Sequence, residues 1–296
     1  MSWLAGGRGT ILLMPRDTGF PAADAQDDFL RVRRRQALRA LGRRFARGGG
    51  DVMAMLPFDE VVAELGRLGE TRIGLQVVPL DSIVGSVDRG KEFDRAFQPT
   101  SSQVRARWER IAQAMRRGEA LPPVQLYRVG EVHFVRDGHH RVSVARALGR
   151  RDIEAYVTEV HTRVGADHAL RLSDLPLKGH ERLFRERVPL DPERARGVHL
   201  SDPSRYGDLA ESVEAWGYRE SQGRGELLDR EHLARAWFEE EFAPVCAMLR
   251  EAGLIRPGET DADAYERLSG ERYRLMRTLE WNEDIVARLR GEADAS

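Results

Sequence analysis

The chain predicts an α+β protein, with a strand-and-helix module in its middle, helices before it and an all-helical stretch after it. Three observations predict this. The run Val135–Gly149 reads as a strand that ends in an Asp-Gly turn and launches a helix, with Val144, Ala145 and Leu148 on one side and Gly149 placed to stop it. Upstream, apolar residues recur at helical spacing in two separate segments. From Ser204 onward helical signals continue to the last residues.

Taken in order, residues 1–27 contain Gly, Pro and Asp without periodicity and read as a mobile arm with room for one short strand. Asp28 is placed to cap a helix from Phe29 to about Ala46, with Leu30, Ala37, Leu38, Leu41 and Phe45 on one face and arginines elsewhere. Gly48-Gly49-Gly50 ends it. Pro57 with Phe58 and Asp59 starts a second helix, running to about Leu68, with Val61, Val62, Leu65 and Leu68 inward. After the module, residues 161–205 read as loop-rich with short helices, punctuated by Pro176, Pro189, Pro192 and Pro203. Helices are expected at Ser204–Trp216, Asp229–Ala252, Thr260–Leu279 and Asn282–Arg290. Pro244 should kink or restart the second of these, and Gly253 should cap its end. Trp216, Tyr218, Trp237, Phe238, Phe242, Tyr265, Tyr273 and Trp281 read as core and interhelix packing. The expected division is an N-terminal helical arm (1–70), the module (71–160), a loop-rich linker (161–203) and a helical domain (204–296).

Composition narrows the function. Of 296 residues one is cysteine, Cys246, which excludes an intramolecular disulfide framework and suits a reducing compartment; a cytoplasmic protein is expected. The apolar piece Thr10–Pro15 is too short for a signal core or a span, and no other stretch approaches membrane length. The formal charge of −1 hides an asymmetry. Residues 29–50 carry eight arginines and no acid, whereas the stretch from Glu226 carries 17 acids against 10 arginines. A uniformly basic nucleic-acid binder does not look like this. The only lysines are Lys91 and Lys178.

The Asp-Gly junction carries the chemistry. A helix N-terminus presents unpaired N–H groups and the positive end of the helix dipole, and Gly138 lets a ligand approach the main chain. His139, His140 and Arg141 add donors beside those groups, which is the chemistry of a phosphate site. Asp137 suits a turn or capping role, or the holding of Mg²⁺ near phosphates.

Gly138-His139-His140-Arg141 resembles the GxxR box of the ParB/sulfiredoxin superfamily, which is Gly-Glu-Arg-Arg in ParB proteins and Gly-Cys-His-Arg in sulfiredoxins. The resemblance spans about residues 75–160. Val77–Ile83 is similar to the family's opening strand, Ser101–Arg117 to its helix, Gly118–Tyr127 to its Gly-x-x-x-Pro turn and second strand, and Gly149–Val157 to its following strand. The tail from Trp237 to Tyr265 is similar to that of a bacterial ParB-like subgroup with a C-terminal helical domain. The resemblance implies a mixed sheet and a nucleotide (CTP, ATP or ADP) with Mg²⁺. It places the loop Gly85–Pro99 against that nucleotide, with Arg89, Lys91 and Arg95 on phosphates and Glu92 or Asp94 as general base or metal ligand. It makes His140 a donor to phosphate or to a transferring group.

Two departures matter. His139 stands where sulfiredoxins hold their cysteine, so there is no thiolate to attack and reductase chemistry fails. The ParB glutamate is absent too. The helix-turn-helix and second arginine box of partition proteins are not evident. DNA contact would fall to Arg33, Arg34, Arg35, Arg43 and Arg44, although no aromatic alternates with them for base stacking, and the same helix suits an anionic membrane surface or packing on the module or on the acidic C-terminal region. The expected function is a ParB-like nucleotide-binding regulator, with DNA and a second copy of the chain as further partners. The alternatives are a phosphotransferase or nuclease on the same fold, with His140, Glu92 or Asp94 accepting the proton, and a non-catalytic interaction protein without a ligand.

Overall fold

The computed structural model describes residues 17–45, 55–87, 92–225, 228–277 and 280–295, with side chains described for all of these except 39–45, 275–276 and 292–295. The short strand allowed for within the first residues and the Gly48–Gly50 stop lie outside the described residues. The chain divides into two units, residues 1–175 and 176–296.

The first unit is built on a six-stranded mixed sheet. In chain order its elements are α1 (Pro21–Phe45), β1 (Leu56–Pro57), α2 (Phe58–Leu65), β2 (Arg67–Pro79), β3 (Ile83–Ser86), α3 (Arg105–Arg116), β4 (Val124–Val129), β5 (Val132–Asp137), α4 (His139–Ala147) and β6 (Asp152–Thr162). The strand order is β1-β3-β5-β4-β6-β2. β1, β3 and β5 run parallel, as do β4 and β6; the pairs β4/β5 and β6/β2 are antiparallel. Alternation puts Val124, Leu126, Val135, Ala155 and Val157 on one face, where they form a core with α1, α3 and α4. Val129, Val132, Phe134 and Val160 face the other way, under α2 and residues 164–175. The expected order strand, long loop, helix, strand, strand, helix, strand is present from β3 to β6, but the opening strand expected at Val77–Ile83 is split: residues 77–79 end β2, Leu80–Ser82 form a 3₁₀ turn and Ile83 starts β3.

Three expectations are corrected. α1 begins at Pro21, not after Asp28, because proline suits the first helical position and Asp24 takes the Thr18 amide at 3.0 Å and hydroxyl at 2.7 Å. The Thr18 hydroxyl bond is what lowers the Asp24 pKa most. The buried face of α1 is Ala25, Asp28, Phe29 and Val32, whereas Leu30 and Leu38 are exposed. Asp28, 1 % exposed, receives the Arg116 guanidinium of α3 at 2.5 Å and a bond from Arg31. Second, α2 stops at Leu65 because Gly66 takes a left-handed conformation (φ 74°), so Leu68 belongs to β2 and is exposed. Third, β2 runs 13 residues, starting ten residues before Val77.

One buried histidine gives this unit an acid-sensitive point. The Ser82 hydroxyl donates to Pro79 O at 2.7 Å, so the 2.9 Å contact between Ser82 Oγ and His133 Nδ1 requires the proton on Nδ1. Burial pushes the His133 pKa down to about 4 from 6.5. Between those values the unfolded chain binds a proton that the folded chain refuses. Stability is therefore full above about pH 6.5 and declines toward about pH 4, by on the order of 3 kcal/mol. Urea midpoints measured across that interval should fall for the wild type and fall distinctly less for His133→Gln.

The second unit is helical: α5 (Leu175–Arg187), α6 (Pro192–Gly197), α7 (Tyr206–Arg224), α8 (Arg230–Ala236), α9 (Ala243–Glu251), α10 (Asp261–Met276) and α11 (Glu283–Ala295). α5 is a 13-residue helix inside the segment expected to be loop-rich. Asp191, Asp229 and Thr260 cap α6, α8 and α10, the last with a reciprocal Asp263 contact. A π-helical turn, Trp237–Phe242, joins α8 to α9 just ahead of Pro244, whose missing N–H breaks the regular ladder where the kink was expected. Trp216, Trp237, Phe242 and Tyr265 of the expected aromatic set join Tyr206 and Leu209 at the centre of its core, whereas Tyr218 and Tyr273, also expected to pack, are exposed. Cys246 is 3 % exposed within this core, and burial pushes its thiol up to about 12, as suits a small apolar filler.

Candidate phosphate site at the start of α4

β5 hands the chain to α4 through Gly138, whose φ of 102° is the left-handed conformation that favours glycine. A Cβ there would stand 2.5 Å from Val124 Cγ1, so the turn is closed to any larger residue. The first turn of α4 carries His139, His140 and Arg141, no acid, and no side-chain cap. This junction matches the one read from the sequence.

The histidines point inward. His139 is 5 % exposed; its Nε2 lies 2.7 Å from Ser86 Oγ, and its ring stacks at 6.4 Å on Phe93. His140 is buried edge-on against Phe93, with ring centres 5.2 Å apart. The loop that supplies Phe93 is itself pinned. Asp94 accepts from the Gln98 amide at 2.8 Å, the Phe97 amide donates to Asp94 O at 2.7 Å, and Phe97 sits at φ 56° with its ring buried. Asp94 thus closes a turn, and Glu92 is half-buried just before it. Arg89 and Lys91 lie outside the described residues.

Arg141 faces its own chain. Its guanidinium donates to Pro122 O, to Pro123 O at 2.9 Å and to Asp137 Oδ2 at 2.6 Å, tying the turn before β4 to the start of α4. Beside it lies a cavity of about 400 Å³, lined by Arg141, Arg150, Glu119, Val77, Leu121 and Ile153. A second cavity, about 820 Å³, shares Arg150 and Asp152 with the first and adds Arg95, Arg146, Arg151 and Asp81.

No protein-family model and no curated protein matches the chain. Among solved structures, that of the pNOB8-like ParB N-domain is similar to it. It is 13 % identical, over 76 % of this chain and 98 % of that one, with a TM-score of 0.22.

Four residues at this site escaped the sequence reading. Ser86 and Phe93 hold the histidines, Arg150 lines both cavities, and Arg146 fastens the floor. Arg146 donates to Leu80 O, to Ile83 O at 2.7 Å and to Arg95 O at 3.2 Å, and lies 5.1 Å from the Phe97 ring centre. Burial pushes its pKa down to about 10. The spacing of Arg146 five residues beyond Arg141 was visible, but its partners come from segments remote in sequence. Of the arginines considered for DNA, Arg33 donates to Pro99 O at 2.9 Å, Arg34 is exposed and Arg35 half-buried; the side chains of Arg43 and Arg44 lie outside the described residues. Asp137 is exposed and, among the described residues, belongs to no group of three metal-ligating side chains. Among the described residues no helix is long and apolar enough to cross a membrane.

Proposed function

We propose that this protein is a ParB-like regulatory protein whose first unit binds a nucleotide (CTP, ATP or ADP), with the phosphates at the start of α4. The observation that carries the reading is a juxtaposition. The first turn of α4 has no side-chain cap, and its Arg141 lines, together with Arg150, a 400 Å³ cavity whose walls pair the apolar Val77, Leu121 and Ile153 with the carboxylates Glu119, Asp152 and Glu154. The amides and a guanidinium suit phosphate oxygens, and the apolar wall suits a base. Asp137 competes for Arg141 and repels phosphate, so Mg²⁺ between them would strengthen binding. In this reading the inward histidines set the shape of the helix start rather than transfer protons. DNA is a further partner through the exposed Arg34 and its neighbours on α1.

The test is calorimetry of the full chain with CTP, ATP and ADP, with and without Mg²⁺. Micromolar binding is expected, weakened about tenfold or more in Arg141→Ala, since a charge-assisted contact is worth roughly 1.5–3 kcal/mol. Asp137→Asn, which removes the competing charge, should bind tighter without Mg²⁺ and respond less to it. Thermal melts of each variant separate a lost contact from a loosened Pro122–Pro123 turn. Silence toward all three nucleotides, or unchanged affinity in Arg141→Ala, rejects the site.

A further inference from the structure

The two edges of the sheet are treated differently. β1 ends one side after two residues, which leaves little backbone to pair. β2 ends the other side with 13 residues and is exposed along nearly its whole length. Leu68, Leu75 and Val77 are 60 %, 53 % and 68 % exposed, and Tyr156 of β6, opposite Leu75, is 54 % exposed. α2 and residues 164–175 cover the other end of this face and leave these side chains bare. A long unpaired edge flanked by bare apolar side chains is a template for another strand.

The charges on β2 identify the strand that fits. They are Arg67, Glu70 and Arg72. Two copies of one strand that pair antiparallel across a two-fold axis keep facing residues on the same side of the sheet, so the two residue numbers must sum to an even value. Arg67 opposite Glu70 fails that condition. Glu70 opposite Arg72 meets it, with Thr71 at the axis, and the axis makes the pair occur twice. Residues 69–72 are in unbroken register with β6, and the irregularities fall outside them, at 67/69 and 72/74.

We propose that β2 is a self-association edge, on which a second copy of this chain pairs antiparallel about Thr71 and joins two sheets into one. The existing contact from Arg67 to Glu70 at 2.8 Å is between exposed groups and is exchanged at little cost. The inference does not depend on the nucleotide reading.

Sedimentation of the full chain over the micromolar range tests it. The wild type should dimerise. Glu70→Arg and Arg72→Glu each turn two attractions into two repulsions and should weaken the dimer about tenfold or more. An equal mixture of the two variants restores both attractions and should recover the dimer. In the mixed pair the introduced arginine of the first variant faces the introduced glutamate of the second, and the native Arg72 of the first faces the native Glu70 of the second. The double variant E70R/R72E should recover the dimer as well. A monomeric wild type, single variants that dimerise normally, or a mixture that stays monomeric overturns the proposal.

Discussion

Arg146→Met is expected to destabilise the first unit by about 3 kcal/mol or more. Methionine keeps much of the side-chain length and apolar stem but no donor. The carbonyls of Leu80, Ile83 and Arg95 would lose this donor together, and of the three Leu80 O keeps the Ile83 amide. A buried acceptor left unmatched costs about 1–3 kcal/mol, and three share this donor. The contact with Phe97 disappears as well. Urea unfolding with hydrogen exchange on β3 and β5 measures the loss. Arg146→Lys should recover little, because an ammonium cannot span three carbonyls from two segments as a planar fork does. A midpoint within error of the wild type would show that the clamp is dispensable.

Arg116→Met should release α1 from α3. The guanidinium meets Asp28 Oδ2 through two nitrogens, at 3.0 and 2.5 Å, and stands 3.8 Å from Asp24. Both carboxylates are at least 98 % buried. Removing one partner of a buried ion pair costs about 3–5 kcal/mol when the remaining charge is orphaned; Asp28 keeps Arg31 and Asp24 keeps Thr18, so the lower end of that range is expected. Protease cleavage between residues 17 and 45 should rise sharply in this variant while β4, β5 and β6 stay protected. Adding Asp28→Leu to it should recover part of the loss, since an apolar residue leaves no orphaned charge. An Arg116→Met chain that is as protease-resistant as the wild type would mean that Phe29 and Val32 hold α1 unaided.

These two arginines also mark what sequence could and could not disclose. From Arg105 to Thr162 the elements were legible because each announces itself locally. Gly118 and the Pro122-Pro123 pair mark the turn into β4, Asp137-Gly138 the turn into α4, and Gly149 its end. α1 was misphased because two of its five buried residues among the described side chains, Asp24 and Asp28, are aspartates. Asp28 is buried against Arg116, 88 residues away, as well as its neighbour Arg31, and no hydrophobic pattern encodes the distant partner. β2 was cut short because it is bare on both faces, so burial imposed no alternation on it. At the site, the Gly138 turn was visible and the inward set of the histidines was not. Ser86 and Phe93, which hold them, lie on a strand end and a loop whose approach is a property of the sheet order.

The tethers inside this protein respond unequally to the two directions of pH. On the alkaline side, Arg146 keeps its proton until about 10, and Cys246 and Tyr206 keep theirs until about 12. On the acid side, His133 begins to favour the unfolded chain just below neutrality. A scaffold fastened by guanidinium groups, with the His133 imidazole shut inside, tolerates base and yields first to mild acid.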